Sequence, residues 1–180
     1  METPKPSRWR SAAFALSGLL LIVYAIVDLL LFPDLPAWMP TLALAAFMGL
    51  QLGFVGLYIR QVREAGILGP PGFLVAFSGS ALFAGLAFFE SFTPPSLVAA
   101  APDLPYLTAR LLFLAGSALF GAATLRAGVF PKSVGIALIL GVLIAGLNGE
   151  SEPPLLSPPL FVIFYGVGLV WASYVIWKAR

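Results

Sequence analysis

Apolar residues in this chain come in long continuous runs, and short polar words recur between them. Six runs cover residues 12–32, 38–59, 72–89, 107–125, 131–147 and 159–177. Each is close to the roughly 20 residues that a helix rising 1.5 Å per residue needs to cross about 30 Å of hydrocarbon. The period-2 alternation of a transmembrane barrel strand is absent, so the pattern predicts helices. The first run follows "KPSRWR", a possible opening for a signal peptide. It is longer than the core of about 7–15 apolar residues found in such peptides, and no small-residue cleavage pattern follows in "LLLFPDLPAW", so a retained signal anchor is expected. The expected fold is all-α, a polytopic membrane helical bundle with six transmembrane helices in a single integral membrane domain spanning residues 1–180.

The polar words repeat. "REAGILGPPG" from Arg63 to Gly72 lies between the second and third runs, and "RAGVFPKSVG" from Arg126 to Gly135 between the fourth and fifth. In both, an arginine suits the negative end of the preceding helix dipole, Gly66 or Gly128 can take the left-handed cap conformation, and Pro70 or Pro131 suits the start of the next helix. On the other side "PDLP" occurs at 33–36 and 102–105, while "ESFTPP" at 90–95 is answered by "ESEPP" at 150–154. Conserved word order predicts three related helical hairpins of one orientation, an internal repeat about an axis along the membrane normal.

Charge gives the expected topology. Lys5, Arg8, Arg10, Arg60, Arg63, Arg126, Lys132, Lys178 and Arg180 fall on one side of a six-helix trace, and only Arg110 falls on the other. Because Lys and Arg near helix ends stay cytoplasmic, both termini are expected in the cytoplasm, with the chain multi-pass in the cytoplasmic membrane of a bacterium. Most acids take the outer ends: Asp28, Asp34, Glu90, Asp103, Glu150 and Glu152. Trp9, Trp38, Tyr58, Tyr106 and Trp177 fall near run ends, where an aromatic body is buried and its polar atom hydrated.

Composition agrees and then narrows the chemistry. Of 180 residues 60% are hydrophobic and 10% charged, against about a quarter charged in soluble domains, and mean hydropathy is +0.98. Cysteine and histidine are absent, which removes disulfides, thiolate chemistry, His-ligated haem, ordinary zinc sites and His-based catalytic triads. No cofactor and no metal are expected, an enzyme is disfavoured, and nucleic acid is not an expected partner. The expected partners are the lipid bilayer and a second membrane protein or further copies of this chain. Small-residue pairs suited to close helix approach occur at Gly49/Gly53, Ser80/Ala84, Ala81/Gly85, Ser117/Gly121, Ala137/Gly141, Gly141/Ala145 and Gly168/Ala172.

Polar groups at membrane depth are expensive and mark function. The candidate ligand-binding or intramembrane residues are Asp28, Gln51, Glu90, Arg110, Asn148 and Glu150. Asp28, Glu90 and the Asn148/Glu150 pair leave the membrane at equivalent outer ends and would rim a shallow acidic vestibule. Gln51, near the middle of its helix, needs an interhelical partner or a hydrated cavity. Arg110 is expected to meet a carboxylate, with Asp28 first, then Glu90, then Asp103. The functional expectation is a small transporter or channel-like protein for a cation, amine or lipophilic solute. The alternatives are an accessory or assembly subunit of a larger membrane complex, or a lipid-binding sensor module.

Overall fold

The computed structural model describes residues 8–31, 34–147 and 159–178. Among these, regular structure is helical throughout: α1 Arg8–Leu31, α2 Met39–Gln61, α3 Gly69–Phe92, α4 Pro95–Ala99, α5 Leu104–Ala127, α6 Lys132–Leu147 and α7 Pro159–Lys178. A single 3-10 turn, Gly66–Leu68, precedes α3. The six long helices fall on the six apolar runs. Two of them, α3 and α5, begin three residues before their apolar runs, with Pro70 and Pro105 in their first turns, and α2 carries Pro40 in the same place. Proline lacks an N–H that would be unpaired there anyway, and its fixed φ already suits the helix.

Among the described residues, four stretches are long and apolar enough to cross a membrane: Phe14–Leu31, Met39–Gln61, Gly66–Phe92 and Leu104–Ala127. Two shorter apolar stretches, Lys132–Ile144 and Val162–Lys178, accompany them. The long helices form a closed ring in chain order, α1 against α2, α2 against α3, α3 against α5, α5 against α6, α6 against α7, and α7 back against α1. Short connections and alternating direction gather the ends of α1, α3 and the start of α2 at one end, with Asp28, Asp34, Glu90 and Asp103. Arg60, Arg63, Arg126, Lys132 and Lys178 lie at the other. We refer to these as the acidic and basic ends.

Both corner glycines at the basic end take the left-handed conformation expected of them, Gly66 with φ 60° and Gly128 with φ 64°. Gly128 caps α5 directly, whereas Gly66 opens the 3-10 turn after α2. Corner chemistry is therefore shared, yet the interfaces of the ring are unequal. The most extensive are α3 with α5 and α1 with α7. In the first, a methyl group added at Gly116 would fall on the Ala76 backbone, and one at Gly72 would lie 2.7 Å from the Phe120 nitrogen. In the second, one at Gly18 would lie 2.5 Å from the Gly166 carbonyl oxygen. Lipid gives apolar helices no hydrophobic reason to associate, so such backbone-to-backbone approaches supply the dispersion contacts that do.

Aromatic side chains fill the ring's centre. From the acidic end the rings run Tyr24 to Phe47, Phe47 to Phe83, Phe83 to Phe113, Phe113 to Tyr165 and Phe54, Phe54 to Phe120, Phe120 to Phe73 and Phe73 to Tyr58, with adjacent centroids 4.4–6.2 Å apart. The Phe47/Phe83 and Tyr58/Phe73 pairs are stacked, and Phe83/Phe113 and Phe54/Phe120 meet edge to face. Both geometries suit the ring quadrupole. Large apolar residues such as Leu16, Leu30, Met48, Leu52, Leu74 and Leu111 point outward instead. Greasy outside and aromatic inside, the bundle is patterned for lipid rather than for water.

Candidate functional site at the acidic end

A cavity of about 520 Å³ opens between α1, α2, α3 and α4 at the acidic end. Tyr24 and Asp28, one helical turn apart, reach it from the same face of α1. Glu90 and Ser91 reach it from the last turn of α3, and Met39, Pro40 and Ala43 from the first turns of α2. The fourth wall is α4. Pro94 is extended at ψ 140° and ends the path of α3, Pro95 starts a new five-residue helix, and that helix brings Pro95, Val98 and Ala99 to the cavity.

Asp28 and Glu90 are both half-buried. Glu90 is held in place, because the Tyr106 hydroxyl donates to its Oε1 at 2.7 Å across the α3/α5 interface. Beside it the Ser91 hydroxyl donates to the Ala87 carbonyl at 2.7 Å, and Thr41 Oγ1 lies 3.4 Å from Ser91 Oγ. Below, the Tyr24 and Phe47 rings head the aromatic column. The arrangement offers two carboxylates, one aromatic face and apolar walls. A positive charge on an apolar body would find a counter-charge and a dry surface there at once. Among the described residues, no group of three or more Asp and Glu side chains is placed to hold a metal ion.

The expected site residues divide. Asp28 and Glu90 come together on one cavity. Gln51 is half-buried in α2 and lines neither this cavity nor a smaller groove at the basic end formed by Phe14, Leu52, Val55, Gly56, Ile59, Arg60 and Ile176. Arg110 is half-buried on α5, one turn from Tyr106, and does not line the cavity. Asp103 is exposed at the start of α5 and makes no side-chain cap. Asn148 and Glu150 lie outside the described residues.

Four buried polar residues, Gln61, Thr124, Ser117 and Tyr165, are not among the expected site residues, and Ser117 is expected only as a packing residue. Gln61 is fully buried and donates from Nε2 to Thr124 Oγ1 at 2.9 Å, and Thr124 in turn donates to the Phe120 carbonyl at 2.9 Å. Gln61 Oε1, Ser117 Oγ and the Tyr165 hydroxyl are buried with no hydrogen-bond partner. In "YIRQVR" the glutamine falls two residues past the apolar run and between Arg60 and Arg63, so it reads as part of a hydrated helix end. The signal that could have found two of the others is a seven-residue spacing of hydroxyls, Ser117 to Thr124, along one face of α5.

Fold and site together define a helical bundle of membrane type with an acidic, apolar-walled cavity at one end. The chain matches no protein-family model, and searches of curated proteins and of solved structures return no similar chain.

Proposed function

We propose that the chain is a six-span protein of a bacterial cytoplasmic membrane, acidic end outward and both termini cytoplasmic, that takes an amine or lipophilic cation into the acidic cavity as a small transporter. The observation that carries this reading is the opening of Asp28 and Glu90 onto one apolar-walled cavity. A carboxylate half-buried near hydrocarbon is costly unless a positive charge meets it, and two of them favour a cation over an anion. Apolar walls and Tyr24 favour an organic cation over a hydrated inorganic one. The six-span topology draws on α6 and α7 closing the ring between longer helices, and on the charge asymmetry of the two ends.

The test is binding and uptake of tetraphenylphosphonium by the purified protein in liposomes. Wild type should bind it, Asp28→Asn and Glu90→Gln should each weaken binding about tenfold, which corresponds to about 1.4 kcal/mol, and the loaded ion should appear inside. An absence of binding, or equal binding by the Asp28→Asn/Glu90→Gln double variant, overturns the reading. The closed aromatic centre favours a second reading, a sensor or accessory subunit that binds without passage. Saturable binding with no uptake decides for it.

A further inference from the structure

The inner face of α5 reads Tyr106, Arg110, Phe113, Ser117, Phe120, Thr124, alternating steps of four and three that keep one stripe toward the ring centre. From 106 to 124 at 1.5 Å per residue the stripe is about 27 Å long, close to the hydrocarbon thickness. Two of its polar members, Tyr106 and Thr124, bond to polar side chains on other helices. Tyr106 binds Glu90 from α3 at the acidic end, and Thr124 binds Gln61 from α2 near the basic end. Midway, Ser117 faces the Tyr165 hydroxyl of α7 without either reaching hydrogen-bond geometry with any group.

That midpoint is unusual for two reasons. Helical Ser and Thr normally donate to a carbonyl one turn back, as Ser80, Ser91, Thr108 and Thr124 do here, and Ser117 forgoes this bond. Secondly, buried polar atoms in proteins are nearly always paired, with ordered water serving where no protein group can. The three described buried side-chain atoms lacking a partner, Gln61 Oε1, Ser117 Oγ and Tyr165 OH, all lie beside this stripe or at its midpoint. Phe113 and Phe120 sit between the polar steps, each fully buried and in ring contact with Phe54.

We propose that α5 lines a water path through the bundle, with the Ser117/Tyr165 hydroxyl pair as its midpoint water site and Phe113 and Phe120 as the plugs that close it in this structure. Water bound at the midpoint satisfies both hydroxyls, and rotation of either phenylalanine ring connects it to the next polar step. The inference deepens the transport reading, which it needs only for the acidic end as entrance. A path of this kind turns a binding cavity into a route.

Single cysteines test it cleanly, because the chain has none. The thiolate is the reactive form, so a thiol kept from water is inert. Ser117→Cys should react with a small water-soluble methanethiosulfonate at a rate on the order of tenfold above Leu119→Cys, which lies at similar depth on the exposed face of the same helix. Adding Phe120→Leu, which removes ring bulk, should raise the rate at position 117 further. On the unmodified protein, radiolytic hydroxyl labelling should oxidise Tyr165 in preference to the equally buried Phe54, and this decides the matter where the cysteine variant does not fold. Reaction at 117 no faster than at 119, or an unlabelled Tyr165 in folded protein, overturns the proposal. Neither readout uses a ligand, so it fails or stands apart from tetraphenylphosphonium binding at Asp28 and Glu90.

Discussion

Tyr106 and Thr124 each settle a polar group that its own helix could not. Thr124→Val keeps the shape but strips Gln61 of its acceptor, leaving a fully buried amide unpaired at a cost of about 1–3 kcal/mol. The melting temperature in detergent should fall accordingly, and Thr124→Val/Gln61→Leu should recover much of the loss because no orphan remains. A double variant no more stable than the single one would mean that the pair is not coupled. Tyr106→Phe is the milder change. It frees Glu90 Oε1 at a partly exposed place, so stability should move by about 1 kcal/mol or less while tetraphenylphosphonium binding changes measurably, since the carboxylate is no longer held. Unchanged binding would remove Tyr106 from any role in positioning Glu90.

Among the helices, close contact is decided by glycines at particular faces rather than by small-residue spacing as such. Gly116 abuts the Ala76 backbone, whereas Gly85, a member of an equally good small-residue pair, is exposed with open space around it. Gly116→Leu should therefore force α3 and α5 apart and cost several kcal/mol or abolish folding. Gly85→Leu should be neutral or stabilising by up to about 1 kcal/mol, since a helix gains by losing glycine. Thermal melts of the two variants side by side check this, and equal losses would contradict the helix pairing. The loop after α3 shows the opposite lesson. "TPPSLVA" falls between the apolar runs, yet two adjacent prolines suffice to end one helix and begin another, and the resulting α4 supplies a wall of the cavity.

At the level of the whole molecule, the ring and its two charged ends make the orientation testable. Ser96, on α4, and Ser133, in the first turn of α6, are both exposed and lie at opposite ends. In intact cells an impermeant thiol reagent should label Ser96→Cys and spare Ser133→Cys, as the basic residues at the second end require. The reverse pattern would invert the protein and put the acidic cavity in the cytoplasm.

Taken alone, the sequence determined the class of fold, the positions of the long helices and the left-handed glycines of the basic-end corners. Run length against bilayer thickness, and the steric freedom of glycine, are local quantities that no distant contact can change. It also placed Asp28 and Glu90 at one end, since each helix crossing reverses direction. Only the tertiary structure decided that these two acids share a cavity, that α7 closes the ring on α1, and that Gln61 and Thr124 form a buried pair. Those facts depend on which helix faces which and at what rotation. In a chain that is apolar all round its helices, the hydrophobic pattern carries little of that information. Backbone approach at glycines and the shapes of aromatic rings choose the partners instead, and both are read only once the helices stand together.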